Sequence, residues 1–336
     1  WTNVISHSPT CSVASMTTVA GVDIGSNTLR LLIVHVEEGE RFVILDAARQ
    51  MTRLGEGMGH EALLRPTAID RSVQVLQEFQ DRIARRRPAL VTVVATSAVR
   101  EAANRGEFLQ RVRTEAGLSV EVLSGREEAR QTLLGAWWGL RHAGFDGSSS
   151  CLLCDIGGGS TEYVLGRDNA VDGWASTPLG VVRLTEQFLH HDPPVIEEIE
   201  RLRMYVTRIL EQAALQIGPL PHGCRVAGTA GTVTTLGALF KQLTRYDPTL
   251  VNGARLPAAT VDDWVARLIG MTADERRALP LMEGGRADLI VAGGIVLQSS
   301  LRHWGLDGLL VSDWGLKEGI ILEAVRRQRS SELLRP

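Results

Sequence analysis

Val22-Asp23-Ile24-Gly25-Ser26-Asn27-Thr28 and Cys154-Asp155-Ile156-Gly157-Gly158-Gly159-Ser160-Thr161 are the two stretches that decide the fold. Each runs from an apolar segment through an aspartate and a glycine-rich turn into a second apolar or β-branched segment. They align with one extra glycine in the second, and their aspartates stand 155 − 23 = 132 residues apart. Such a pair predicts an ancient repeat, two copies of one domain each led by a strand–Asp–Gly turn–strand unit, with a cleft between them.

Working outward from the first turn, residues 18–22, 29–36 and 42–47 read as three strands in succession. Ile69, Val73, Leu76, Phe79 and Ile83 then recur at helical spacing between Pro66 and Pro88. A strand at 91–95, a helix at 104–116, a strand at 119–123 and a helix at 127–140 complete a β-β-β-α-β-α-β-α order. The Gly- and Ser-rich residues 143–150 form the expected joint. Beyond it come strands at 152–156, 161–165 and 170–176, then a helix at 195–216 and a strand at 224–227. A helix at 232–243, a helix at 287–303, a strand at 308–312 and a last helix at 316–327 follow. The expected domains are 16–143 and 144–330, the last helix packing back on the first, with residues 1–15 a tail or upstream remnant.

The 336 residues are 44% hydrophobic and 22% charged, which excludes a disordered or collagen-like chain. Lys+Arg 36 against Asp+Glu 39 gives a formal charge of -3, so no general basic footprint for nucleic acid is present. Any polyanion must be held locally. Lys241 and Lys317 are the two lysines, leaving 34 arginines, a bias that a GC-rich genome explains. Cys11, Cys151, Cys154 and Cys224 make no disulfide framework, and Cys151-Leu152-Leu153-Cys154 reads as a buried strand. Free core thiols point to a reducing cytoplasm. The apolar stretch at 289–297 contains two glycines and is far short of a membrane span of about 18 residues.

A Gly-rich turn frees several backbone N–H groups to face one way, glycine being tolerant of positive φ, and such a nest holds phosphate oxygens. Gly25, Ser26, Asn27 and Thr28 form one candidate nest, and Gly157, Gly158, Gly159, Ser160 and Thr161 the other. Asp23 and Asp155 repel phosphate but suit Mg²⁺, directly or through its waters, with Glu162 placed to join Asp155. An Asp–Gly pair alone would mark only a tight turn; two matched copies reverse that preference. A third run, Gly228-Thr229-Ala230-Gly231-Thr232, lies between a strand and a helix. It serves equally well as a close-packed turn or an anion site.

Ser124-Gly125-Arg126-Glu127-Glu128-Ala129 falls where the first domain should meet the cleft. A glutamate there can orient and deprotonate a water, although acids also favour a helix start. Adjacent helical residues point about 100° apart, so one of Glu127 and Glu128 at most faces the site. Arg100, after a strand end, is a candidate phosphate clamp, with a surface ion pair as its plainer role. Arg85-Arg86-Arg87 reads as a solvated helix end, His190-His191-Asp192 as a Pro-bounded loop without a third metal ligand, and Trp137-Trp138 as helix packing with one ring in the core.

Together these motifs resemble the exopolyphosphatase / guanosine pentaphosphate phosphatase family of the actin–sugar kinase–heat-shock-protein superfamily. The resemblance rests on residues 22–32, Arg53-Leu54-Gly55-Glu56-Gly57, 95–102, 123–130, 154–162, 178–184, 227–236, Arg286-Ala287-Asp288 and 312–321. These nine segments occur in family order. It implies an α/β fold of two actin-like (ribonuclease H-like) domains with mixed β-sheets flanked by helices and an active site in the cleft. It also implies Glu128 activating water, Arg100 on phosphate, Asp155 and Glu162 on Mg²⁺, Gly157–Thr161 cradling phosphate, and Asp23, Gly25, Ser26 and Asn27 opposite. The expected activity is release of terminal phosphate from inorganic polyphosphate, with guanosine pentaphosphate as the alternative substrate. An additional monovalent cation and a homodimer remain open. The rivals are an actin-fold small-molecule kinase, which would need an adenosine pocket and an acceptor, and a nucleotide-binding regulator, which would have no need of the Glu-Glu-Ala run.

Overall fold

Both repeated stretches fold as tight hairpins, and each hairpin founds a sheet. The structure, a computed structural model, describes residues 17–333 apart from 38–39, 59–61, 146–148, 168–169 and 283–284. The expected tail at 1–15, with Cys11, and part of the expected joint lie outside the described residues.

The first lobe begins with β1 (Thr17–Ile24), β2 (Thr28–Val36) and β3 (Phe42–Met51). Helix α1 (Pro66–Arg86), β4 (Leu90–Ala95), α2 (Ser97–Glu101), α3 (Arg105–Glu115), β5 (Glu121–Val122) and α4 (Gly125–His142) follow. The second lobe carries β6 (Cys151–Ile156), β7 (Thr161–Arg167), β8 (Ala170–Thr177), α5 (Val181–Phe188), α6 (Ile196–Ile217), β9 (Arg225–Thr229) and α7 (Ala230–Phe240). It continues with α8 (Pro248–Val251), β10 (Arg255–Pro257), α9 (Ala258–Ile269), α10 (Ala273–Arg277), α11 (Ile290–His303), β11 (Gly308–Val311) and α12 (Leu316–Leu333). None of these helices is long and apolar enough to cross a membrane.

Strand order is β3-β2-β1-β4-β5 in one sheet and β10-β11-β9-β6-β7-β8 in the other. In each, an antiparallel three-strand meander is extended by parallel strands on the side of its first strand. The two sheets therefore share one topology, with β10 added at the far edge of the second. This is the expected two-sheet α/β architecture. The register corrects one detail of the repeat. Asp23 pairs with Arg30 and Asp155 with Glu162, seven residues apart in both cases, so the hairpins have equal length. Gly25 to Thr28 matches Gly157 to Ser160, and no extra glycine is inserted.

Elements α2, α5, α8, β10, α9 and α10 were not among the expected ones. Most are too short to show a period, but α9 buries Val261, Val265 and Leu268 at helical spacing, a signal present in the sequence. Helix α11 starts at Ile290, three residues after its expected start.

Two helices tie the lobes together. Helix α4 lays Ala129, Leu133 and Trp137 against Cys151, Leu153 and Val164 of the second sheet. Helix α12 lays Ile320, Ile321 and Val325 against Val19, Leu32 and Val94 of the first. The two helices touch where side chains are absent: a Cβ on Gly135 would stand 2.0 Å from the Gly315 carbonyl oxygen, and one on Gly319 1.8 Å from that of Gln131. Because α4 lies between the second sheet and α12, both tryptophans are buried, not one. Trp138 stacks on Phe42 and Trp314 on the face opposite Trp137.

Candidate active site in the cleft between the lobes

The two hairpin turns meet tip to tip. A Cβ on Gly158 would lie 2.9 Å from Asn27 Cβ, and one on Gly159 2.4 Å from the hydroxyls of Ser26 and Ser97. Glycine is needed here for close approach, not for backbone angle: positive φ is found at other glycines, and at none of Gly25, Gly157, Gly158 or Gly159. Within each turn the glycine N–H closes the hairpin, Gly25 onto Thr28 O and Gly157 onto Ser160 O.

The outward carbonyls are also used. Ser26 O accepts from Gly55 N–H, Asn27 O from Thr52 and Arg53, and the Gly157 and Gly158 carbonyls from Val181 and Val182 at the start of α5. The N–H groups of Ser26, Asn27, Gly158 and Gly159 donate to no protein acceptor among the described residues. Acceptors satisfied and donors left over is the arrangement that receives an anion.

Above the turns is a cavity of about 540 Å³, lined by Asp23, Gly25, Ser26, Asn27, Thr28, Glu128, Asp155, Gly157, Gly158, Ser160 and Glu162 among others. Of the expected site residues, Gly159, Thr161 and Arg100 do not line it. Gly159 backs onto Gly180, and Thr161 donates its hydroxyl to Leu179 O at 2.8 Å, which turns it into the lobe.

Asp23, Glu128 and Glu162 are buried, and Asp155 is half-buried. Asp23 accepts from Arg30 Nη1 at 3.1 Å across the hairpin, and burial still raises its carboxyl above the usual range. Asp155 faces Glu162 across the second hairpin, and burial together with that neighbouring carboxylate pushes it up to about 7. Burial raises Glu162 too, against a 2.8 Å hydrogen bond from Ser176 Oγ. Two carboxylates facing each other in a site this enclosed repel, and a cation would relieve that repulsion.

The tie between the neighbouring glutamates is broken by the cap of α4. Glu127 closes a capping box, its carboxylate accepting from Ser124 N–H at 2.9 Å while Ser124 Oγ accepts from Glu127 N–H at 3.2 Å. That commits Glu127 to the helix end and turns Glu128, 6% exposed, into the cleft. Arg100 donates from Nη1 to Glu128 Oε2 at 2.6 Å and to Leu123 O at 3.1 Å. It therefore holds Glu128 from outside the cavity lining, and the structure shows it on a carboxylate and a carbonyl. Burial, and next the charge of Glu162, raise Glu128 well above the usual carboxylate range; Arg100 opposes both.

Cations of the cleft were not among the sequence candidates. Arg30, Arg49, Arg286 and Lys317 all line it. Arg30 could have been found by counting across the hairpin to the residue opposite Asp23. Arg286 reaches in from a distant loop, donating to Gly231 O at 2.7 Å and to Thr235 Oγ1, so it grips the third glycine run. That run is a close-packed turn that also lines the cavity. A Cβ on Gly228 would strike Leu309, while Thr229, Ala230, Gly231 and Thr232 face the cavity at the N-terminus of α7. Ala230 holds φ 67°, a left-handed angle that a non-glycine residue adopts at some cost. The other sequence candidates lie elsewhere: Arg85, Arg86 and Arg87 end α1, and His191 Nδ1 pairs with Glu198 Oε1 at 2.8 Å beside α6.

The sequence matches the Ppx/GppA phosphatase family over residues 32–328. It is 38% identical to Exopolyphosphatase 2 of Mycobacterium tuberculosis over 320 residues, covering 92% of this chain and 98% of that one. The solved Ppx/GppA family member of Aquifex aeolicus is 34% identical and superposes with a TM-score of 0.79, covering 93% of this chain and 99% of its own. The crystal structure of an exopolyphosphatase from Cytophaga hutchinsonii superposes with a TM-score of 0.83 at 25% identity, covering 92% and 98%. Repeated hairpins, shared cleft and full-length similarity agree: the chain belongs to the Ppx/GppA phosphatase family and is a hydrolase.

Proposed function

We propose that this protein releases terminal phosphate from inorganic polyphosphate with the help of Mg²⁺, using Glu128 to activate the attacking water. The observation that carries the reading is the pair of hairpin turns. They offer the unused backbone N–H groups of Ser26, Asn27 and Gly158 in the cavity that Asp23, Asp155, Glu162 and Glu128 also line. Names borne by the relatives support it, since the mycobacterial and Cytophaga proteins are called exopolyphosphatases.

The residues fit Mg²⁺. Among the described residues no three His, Cys, Asp or Glu side chains converge as a ready-made metal site. Mg²⁺ does not require that, because it keeps several waters and commonly takes one or two carboxylates plus substrate phosphate. Asp155 and Glu162 would supply the two, and the carboxamide oxygen of Asn27, buried without a partner, is a further acceptor close by. When bound, the ion would neutralise charge on the transferring phosphoryl group.

The chain's own groups do the rest. The N–H groups of Ser26, Asn27 and Gly158 hold the terminal phosphoryl oxygens, where charge stabilisation supplies most of the catalysis. Glu128, oriented by Arg100, accepts a hydrogen bond from a water in line with the terminal anhydride and takes its proton as the new P–O bond forms and the bridging P–O bond breaks, the shortened chain leaving on the bridging oxygen. Glu128→Gln should leave the fold intact and lower turnover by about 10³-fold, within the range a general base contributes. Near-normal phosphate release by that variant, measured with polyphosphate and Mg²⁺, would remove the assignment.

Guanosine pentaphosphate is the second reading. Tyr246, Leu281 and Leu289 give the same cavity an apolar wall beside Arg286, a surface that a bare phosphate chain does not need. Phosphate release from the two substrates, assayed side by side, separates the readings.

A further inference from the structure

We propose that Lys317 is a phosphate-binding residue of the cleft, held by Glu318 in the empty protein and handed to the substrate when it enters. The proposal rests on the reading of the cleft as a polyphosphate site and names a further residue that selects for that substrate.

The starting point is charge. Among the described residues the cavity wall carries six acids, Asp23, Glu128, Asp155, Glu162, Asp313 and Glu318, against the four cations Arg30, Arg49, Arg286 and Lys317. A phosphate chain entering that field needs cations able to turn toward it. Arg30 is committed to Asp23 across the hairpin, and Arg286 to Gly231 O and Thr235 Oγ1. Moving either would release a strand pairing partner or the third glycine run.

Lys317 is placed differently. In a chain with only two lysines, it occupies the first turn of α12 facing the cavity. Its ammonium contacts Glu318, the next residue along the helix. Neighbouring side chains on a helix point about 100° apart and do not naturally face each other. The contact therefore requires the lysine stem to bend back along the helix surface. Glu318 does not depend on it alone, because its other oxygen accepts from Gly315 N–H at 2.9 Å. The ammonium can leave without stripping that carboxylate of donors. Four rotatable carbons and three donors suit it to follow a phosphate, where an arginine fork would be fixed. Lys317 lines the same cavity as Asp23, Ser26 and Asn27 of the first hairpin.

The test uses tripolyphosphate and the intact chain. KM and kcat are measured with Mg²⁺ for the wild type, Lys317→Met and Lys317→Arg. Calorimetric Kd values for the same ligand are measured in a Glu128→Gln background, where turnover does not interfere. Lys317→Met should raise KM and Kd about 10-fold, the loss expected for one charge-assisted hydrogen bond, with kcat within about threefold. Lys317→Arg, which keeps the charge but not the mobile ammonium, should restore only part of the affinity. Unchanged KM and Kd in Lys317→Met, or a fall confined to kcat, overturns the role of Lys317 while leaving the substrate reading intact. Failure of the wild type itself to bind or cleave tripolyphosphate overturns both.

Discussion

The two hairpins that found the lobes share length, turn and sheet position but differ in the residue opposite the aspartate. In the first, Asp23 faces Arg30 at 3.1 Å; in the second, Asp155 faces Glu162. One backbone design, used twice, thus produces a nearly neutral pair on one wall of the cleft and a doubled negative charge on the other. The physical consequence is visible in the carboxyls. Asp23 is raised by burial with Arg30 pulling it back, whereas Asp155 reaches about 7 because burial and Glu162 act together. A single cross-strand position thus sets two matched turns apart. On the function proposed above, both turns would meet phosphate and the second would also invite a cation.

The largest effect should come from removing that asymmetry. Asp155→Asn or Glu162→Gln should lower Mg²⁺-dependent phosphate release by at least about 100-fold, as loss of charge stabilisation at the transferring group does. Asp23→Asn, whose charge Arg30 already offsets, should cost about 10-fold or less. Equal losses in steady-state assays on both walls would break the comparison.

Stability against pH sharpens it further. A raised Asp155 means that, between its ordinary pKa of 3.8 and about 7, the folded protein binds a proton that the unfolded chain has released. The contribution is fully present below 3.8 and is lost as pH rises through about 7. Metal-free protein should therefore show a higher Tm at pH 5 than at pH 8 from this group, and Mg²⁺ should narrow the gap. Asp155→Asn should flatten the difference in thermal scans, and an unchanged slope would contradict the placement of Asp155.

Substitution of the turn glycines separates the two kinds of contact. Gly25→Ala puts a methyl 2.9 Å from its own hairpin carbonyl, Thr28 O, and should cost about 1–3 kcal/mol of stability by denaturant unfolding. Gly158→Ala meets Asn27 of the opposite lobe, so it should move the turns apart and raise KM with a smaller loss of stability. The smallest change is Ala230→Gly, which relieves a left-handed φ. It should alter stability by no more than about 1 kcal/mol in the favourable direction, glycine's greater freedom when unfolded offsetting part of the gain.

Much of this was open to reading before any fold was known. The aspartate–glycine repeat announced two lobes and a cleft, since apolar runs ending in Asp–Gly have few other uses when they recur. Asp23, Asp155 and Glu162 are named by it and Glu128 by the family resemblance, and all line the cavity. Less is legible where a contact is decided by distance in space. Nothing local to the turn glycines shows the opposite turn that crowds them, so positive φ is the reason the sequence suggests. Nothing local shows that Arg100 donates to Leu123 O and Glu128. Arg286 stands in a recognisable motif, but 55 residues beyond the glycine run it grips, so spacing assigns it no role.

The sequence by itself determined the repeat, the order of the main strands and helices, and the acidic and glycine chemistry of the cleft. Periodicity and turn residues are local properties and survive without coordinates. Tertiary structure alone decided which glutamate faces the cleft, which backbone donors are left unused, and which cations stand among the acids. Those outcomes depend on a capping box, on two turns meeting tip to tip, and on helices α4 and α12 crossing at glycines 135 and 319. Each brings together residues that the chain keeps far apart.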